Sequence, residues 1–143
     1  MDSDNKHIPI RKKWGQNFLI DKNIIKKIIK LIDPKKDDEI IEIGPGKGAL
    51  TAFLSKKAGK VCGIEIDPLL FDYLEKKNLK NIKLINNDIL KWEPNHENYN
   101  KVIGNIPYNI SSQIIFKFIN YHFWDTMVLM TQKELAERIT SKH

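Results

Sequence analysis

The chain holds few of the residues that carry metal or redox chemistry. A single cysteine, Cys62, stands among 143 residues, so no disulfide can form within the chain, and its place in an apolar run reads as core packing. The four histidines, His7, His96, His122 and His143, are scattered without ligand spacing, which argues against a metal site. No apolar stretch is long enough for a membrane span, and neither a secretory leader nor an internal repeat is visible. A cytoplasmic protein is therefore expected. Acidic residues are in deficit, 18 against 24 Lys and Arg, for a net charge of +6, and such a balance favours a polyanionic partner. Residues 1–12 read as a basic arm whose run from Lys6 onward suits phosphate contacts, with Met1–Ile8 as a solvated tail. The remainder, 13–143, has room for one domain and one core.

Glycines are few but clustered. Ile40-Ile41-Glu42-Ile43-Gly44-Pro45-Gly46-Lys47-Gly48-Ala49-Leu50 reads as strand, glycine-rich turn and helix, the strand apolar except for Glu42. Gly44 and Gly46 allow close approach of a ligand to the backbone. Gly48 is expected to let the helix pack on the sheet, and Gly59 to end that helix as its C′ residue. A second strand ends at Glu65, where an acidic side chain takes the hydroxyls of a ribose. Asp67-Pro68 then opens a helix as N-cap and first residue. A third strand, Ile82–Asn86, runs into Asn87-Asp88, and Asp88 is placed to accept from the amino group of a bound adenine. The same pair also reads as a plain turn. The spacing Gly-x-Gly-x-Gly departs from the dinucleotide fingerprint, and no Gly-Lys-Ser/Thr follows as in a phosphate-binding loop. A nicotinamide oxidoreductase is weakened by this but stays open.

Downstream, Val102-Ile103-Gly104 leads into Asn105-Ile106-Pro107-Tyr108. Such a tetrapeptide suits methylation of an exocyclic ring amine, whose lone pair is delocalised and whose N–H protons need acceptors. The Asn105 side-chain oxygen and the Ile106 carbonyl can accept, Tyr108 can stack on the base, and Pro107 stiffens the turn. Alone, it reads equally as a strand-to-helix turn with a buried Tyr. The series Gly44 and Gly46, Glu65, Asp88, Asn105 tips the balance, because all stand at the ends of successive strands, where open α/β sheets bind ligands. Strands are expected at about 39–43, 61–65, 82–86, 101–104 and 126–131. A helix before them carries Ile24, Ile25, Ile28, Ile29 and Ile32 on one face behind Asp21 as cap. Tyr121–Trp124 is expected to pack at a helix end, and Thr131-Gln132-Lys133-Glu134 to cap a last helix.

Five segments together resemble one family: Lys13-Trp14-Gly15-Gln16-Asn17-Phe18-Leu19, Glu42–Gly46, Ile64–Asp67, Asn87-Asp88 and Asn105–Ser111. They look like the ribosomal RNA adenine N6,N6-dimethyltransferases, in particular the type acting on small-subunit RNA. Gln132-Lys133-Glu134 is similar to that family's segment after its fifth strand. The resemblance implies a Rossmann-like S-adenosylmethionine-dependent methyltransferase fold of class α/β with a mostly parallel sheet, truncated here after the fifth strand and its following helix. The last strands and a C-terminal helical domain are then absent, and an exposed strand edge gives an otherwise monomeric protein a route to dimers. The cofactor implied is S-adenosyl-L-methionine, on Gln16, Asn17, Leu19, Gly44, Gly46, Glu65, Asp88 and Asn105. The catalytic segment implied is Asn105, Ile106, Pro107 and Tyr108, with Phe18 near the base, and the partner is ribosomal RNA in the small subunit. A non-catalytic RNA-binding assembly factor on the same fold stays open beside the enzyme.

Overall fold

The computed structural model describes residues 21–95, 98–106, 109–122, 124–131 and 133–141, without the side chains of 133–135. In chain order the elements are α1 (Lys22–Ile32), β1 (Glu39–Ile43), α2 (Ala49–Lys57), β2 (Lys60–Glu65), α3 (Pro68–Glu75), β3 (Ile82–Asn86), β4 (Lys101–Asn105), α4 (Ser111–Ile119), β5 (Thr126–Met130) and α5 (Lys133–Thr140). The strands form one sheet in the order β3-β2-β1-β4-β5, and every pairing is parallel.

Local chemistry sets the helix ends. Asp21 accepts the Asn23 amide at 2.8 Å and the Ile24 amide at 3.3 Å, which satisfies donors that the first turn of α1 cannot use. Ile25, Ile28, Ile29 and Ile32 form the buried face. Ile24, expected on that face, is instead exposed, because at about 100° per residue it falls at the edge of the stripe that Ile25, Ile28, Ile29 and Ile32 define. Asp33 turns left-handed (φ 48°) and Pro34 follows, so α1 stops. Asp67 caps α3 through the Leu69 amide at 2.9 Å, with Pro68 in its first turn.

Two cores flank the sheet. Ile40, Val61 and Ile103 pack with the buried residues of α1 and α2 on one face. On the other, Ile41, Ile43, Cys62, Ile64 and Val102 pack with Ile114 and Phe118 of α4 and with Ile89, Trp92 and Tyr99. Cys62 is buried core, as expected. Tyr121 and Trp124 pack against this second core, and the Trp124 indole donates to the Phe118 carbonyl at 2.7 Å; Phe123 lies outside the described residues.

Asp38 ties the amino ends of three strands together. Its carboxylate accepts from the Lys35 amide, the Asn100 side chain and the Lys101 ammonium, each at 2.7 Å. Its carbonyl accepts the amides of Gly59 at 3.1 Å and Lys60 at 3.0 Å. Burial alone raises this carboxyl, and the bonds from Lys101, Asn100 and Lys35 more than offset it, so Asp38 stays below the ordinary carboxylate range.

Gly59 follows the C-cap residue Ala58, at the C′ position expected of it, but is not among the left-handed residues. It is required because a β-carbon there would fall 2.3 Å from the Lys36 carbonyl oxygen and 3.1 Å from that of Asp38. Gly48 is left-handed (φ 88°) and is the N-cap of α2, and its nearest neighbour on adding a β-carbon is Leu74 of α3, not the sheet. Gly59→Ala must push the 36–38 loop away, so it is expected to cost about 1–3 kcal/mol, measured as a lower urea midpoint at unchanged slope.

Candidate active site

Parallel pairing in register brings Gly44, Glu65, Asn86–Asp88 and Asn105 to one edge of the sheet, the carboxyl edge. Strand order reverses between β1 and β4, and the crevice at such a reversal is where open α/β sheets take ligands. The turn after β1 is built on three left-handed glycines, Gly44 (φ 61°), Gly46 (φ 63°) and Gly48 (φ 88°), a conformation that a β-carbon disfavours. The Gly44 amide extends the ladder to the Ile64 carbonyl at 3.0 Å. A β-carbon on Gly44 would find the Asn105 carbonyl oxygen at 3.8 Å, so the turn and the end of β4 face one another. Gly63 makes room for Pro45, since a β-carbon there would meet the Pro45 ring at 3.1 Å.

Glu65 brackets two turns. One carboxylate oxygen accepts the Gly46 amide at 2.8 Å and the other the Asp67 amide at 3.1 Å. The side chain is buried, and burial raises its pKa above the usual carboxylate value against the opposing pull of these amides. Each oxygen has two lone pairs, so the bracket leaves acceptor capacity for hydroxyl donors. Asn86 supports it, its side-chain amide donating to the Glu65 carbonyl at 2.8 Å and to that of Ile66 at 3.2 Å.

Asp88 forms a turn at the end of β3. Its Oδ1 accepts the Leu90 amide at 2.9 Å, its carbonyl accepts those of Lys91 (2.9 Å) and Trp92 (2.8 Å), and its own amide donates to the Asn87 side chain at 2.7 Å. It is thus a turn former that stands at the carboxyl edge. Asn105 pairs with Met130 in the β4–β5 ladder, and the buried Ile106 donates its amide to the Met130 carbonyl at 3.1 Å. Strand β5 therefore anchors Asn105 and Ile106. Gln16, Asn17, Phe18, Leu19, Pro107 and Tyr108 lie outside the described residues. Among the described residues no group of His, Cys, Asp and Glu could hold a metal, and no helix is long and apolar enough to cross a membrane.

One element of the site gained its meaning only in three dimensions. Glu42 pairs with Gly63 across the sheet, which puts it on the same face as Glu65, two residues further along β2. The Thr51 hydroxyl donates to its Oε1 at 2.5 Å, tying β1 to α2 beneath the glycine turn. Burial, added to the nearby Glu65 charge and opposed by the Thr51 bond, pushes Glu42 up to about 7. A charge alone in an apolar strand was the signal. Its partner Thr51 carried none.

An open parallel sheet of this order, with a glycine turn after β1 and a buried acid ending β2, defines a Rossmann-like S-adenosylmethionine-dependent methyltransferase fold. A family model for ribosomal RNA adenine dimethylase matches residues 8–143. The chain belongs to that family. It is 49% identical over 140 residues to ribosomal RNA small subunit methyltransferase A of Borreliella afzelii, covering 96% of this chain and 50% of the relative. The protein of the same name from Mycoplasmopsis pulmonis is 51% identical over 135 residues, covering 92% and 53%. Among solved structures, a dimethyladenosine transferase from Plasmodium falciparum superposes with a TM-score of 0.80 at 34% identity, over 88% of this chain and 47% of that one. The 23S rRNA methyltransferase ErmE superposes with a TM-score of 0.81 at 36% identity, over 87% and 51%. The chain spans about half the length of each of these proteins.

Because Glu42 holds its proton to about 7, the stability tied to that proton is full below about 4.5 and is lost as pH rises through about 7. Glu42→Gln is expected to flatten this decline, which amounts to about 3 kcal/mol across the window. Urea unfolding of both proteins across that pH range checks it, and parallel profiles would refute it.

Proposed function

We propose that the chain is the S-adenosylmethionine-binding part of an enzyme that dimethylates N6 of adenines in small-subunit ribosomal RNA. The observation that carries this reading is the meeting of four strand ends around the Glu65 bracket, at the point where strand order reverses. Those residues suit a nucleoside carrying an amino acid. The glycine turn offers a close backbone surface, Glu65 offers acceptors to ribose hydroxyls, and Asp88 offers one to an adenine amino group. Gln16, Asn17 and Leu19 are assigned to the same site by the family resemblance. When bound, the cofactor supplies an electrophilic methyl group on a sulfonium.

The remaining steps fall to the chain itself. Asn105 and the Ile106 carbonyl accept the N–H protons of the target amine, which turns its lone pair toward the methyl. Pro107 holds that turn, and Tyr108 stacks on the base with Phe18 beside it. The target adenine must leave its stack to reach them. Catalysis is then alignment and electrostatics, with no general base required. The net charge of +6 supports a ribosomal RNA partner, since phosphate neutralisation contributes sequence-independent affinity. Location in the cytoplasm, with the ribosome, belongs to the same proposal, as does the division into a 1–12 arm and a 13–143 methyltransferase domain. Family membership favours neither the nicotinamide enzyme nor the non-catalytic assembly factor.

Glu65→Ala is expected to weaken S-adenosylmethionine binding by about 1.5–3 kcal/mol, the range for hydrogen bonds to a charged group. Unchanged affinity by calorimetry would sink the assignment. In a protein with the full length of the relatives, Tyr108→Ala should lower kcat far more than it weakens cofactor binding. Methylation of unmodified small subunits with labelled cofactor gives the rate, and equal losses in both quantities would make Tyr108 a cofactor or structural residue instead.

A further inference from the structure

Lys117 lies near the end of α4, between Ile114 and Phe118 of the core, and its side chain is largely withdrawn from solvent (13% exposed). Its ammonium does not face outward as a helix-surface lysine would. It donates to the Ile89 carbonyl at 2.8 Å and to the Trp92 carbonyl, and it pairs with the Glu93 carboxylate at 3.3 Å. Glu93 in turn accepts from the Tyr121 hydroxyl, just beyond α4. These carbonyls close the single helical turn that Asp88 starts, in which the Asp88 carbonyl accepts the Lys91 and Trp92 amides. The last carbonyls of a helical turn have no partner within it, and a cation placed there also meets the negative end of its dipole. The side chains of Ile89 and Trp92 share a core with Ile114 and Phe118, so the ammonium sits at the rim of a dry contact, where its bonds hold geometry better than in water.

The turn that Lys117 caps begins with the residue assigned to the adenine of the cofactor. The helix that carries Lys117 follows directly from the segment assigned to the target base. We propose that Lys117 is a positioning residue for methyl transfer, clamping the Asp88 turn to α4 so that the adenine end of the cofactor site and the base site keep one relative position. This rests on the cofactor reading above and adds a residue to it. Lys117 touches neither reactant and acts only through the main chain of residues 89–92.

The test is nucleobase discrimination. S-inosylhomocysteine lacks the amino group that Asp88 would accept, so the wild-type chain should prefer S-adenosylhomocysteine by about tenfold or more. Lys117→Met keeps the aliphatic stem and removes the donors, and it is expected to cut that preference to about threefold or less. Lys117→Arg, which can still donate to both carbonyls, should restore it. A general loss of packing would weaken both ligands equally and leave the ratio alone, and an unchanged ratio in K117M overturns the proposal. Glu93→Gln removes the exposed end of the clamp without touching the core and should shift the ratio in the same direction by about twofold. If K117M does not fold, an unchanged ratio in E93Q overturns the proposal instead. Asp88→Ala, which removes the acceptor, reports on the underlying reading. If the wild-type preference is absent, or survives D88A, the adenine assignment fails and the clamp's role fails with it. If D88A abolishes the preference and K117M does not, only the role of Lys117 fails.

Discussion

The architecture depends on the anchoring of three strands at Asp38. A parallel sheet has no hairpins to set its register, so something must align strands that are far apart in sequence. Here one buried carboxylate collects the Lys35 amide, the Asn100 side chain and the Lys101 ammonium, while its carbonyl holds the entry to β2. Asn100 extends the tie, exchanging main-chain and side-chain bonds with Glu39 and accepting the amides that open β5. With the amino ends level and the strands five or six residues long, the carboxyl ends finish level too. That is what gathers Gly44, Glu65 and Asn105 on one edge.

At this carboxyl edge the chain accepts a cost. Glu42 and Glu65 are both buried on the same face, and both are raised by burial, Glu42 further by the charge of Glu65. The Glu65 charge opposes the ionisation of Glu42, and that of Asp67 opposes the ionisation of Glu65. The arrangement persists because each is hydrogen-bonded, Glu42 by Thr51 and Glu65 by two backbone amides. These amides belong to the turns after β1 and β2, so the carboxylate that is assigned to ribose also shapes the surface beside it. Binding residue and scaffold are the same group here.

The far face follows a similar logic with opposite charge. Lys117 brings a cation to carbonyls that a single helical turn leaves over, and Trp92 and Tyr99 pack edge to face beneath it at 6.3 Å between ring centres. The polar cross-link and the aromatic contact both tie the segment between β3 and β4 to the rest. That segment has little regular structure of its own; the β3 ladder and the Asn87 amide on the Glu65 carbonyl hold its start at the sheet edge, and these ties fix the turn that follows against α4.

Much of this was legible in the residues. Apolar runs marked the five strands to within a residue at their ends, and Asp21 and Asp67-Pro68 marked two helix starts, because capping and periodicity are local properties. The glycine turn, Glu65 and Asn105 could be singled out since backbone freedom and charge at a strand end are written in the sequence itself. Other features became visible only in the folded chain. Gly59 is needed for a carbonyl twenty-odd residues before it, not for a left-handed turn. Glu42 finds its donor in Thr51, and Lys117 its carbonyls at 89 and 92. Such partners are set by how helices land on the sheet, and the spacing of residues along the chain carries no record of that. The sequence by itself determined the elements and the chemical groups at their ends. The tertiary structure alone decided which buried charges meet, because a charge in a core is defined by the partner brought to it from a distant part of the chain.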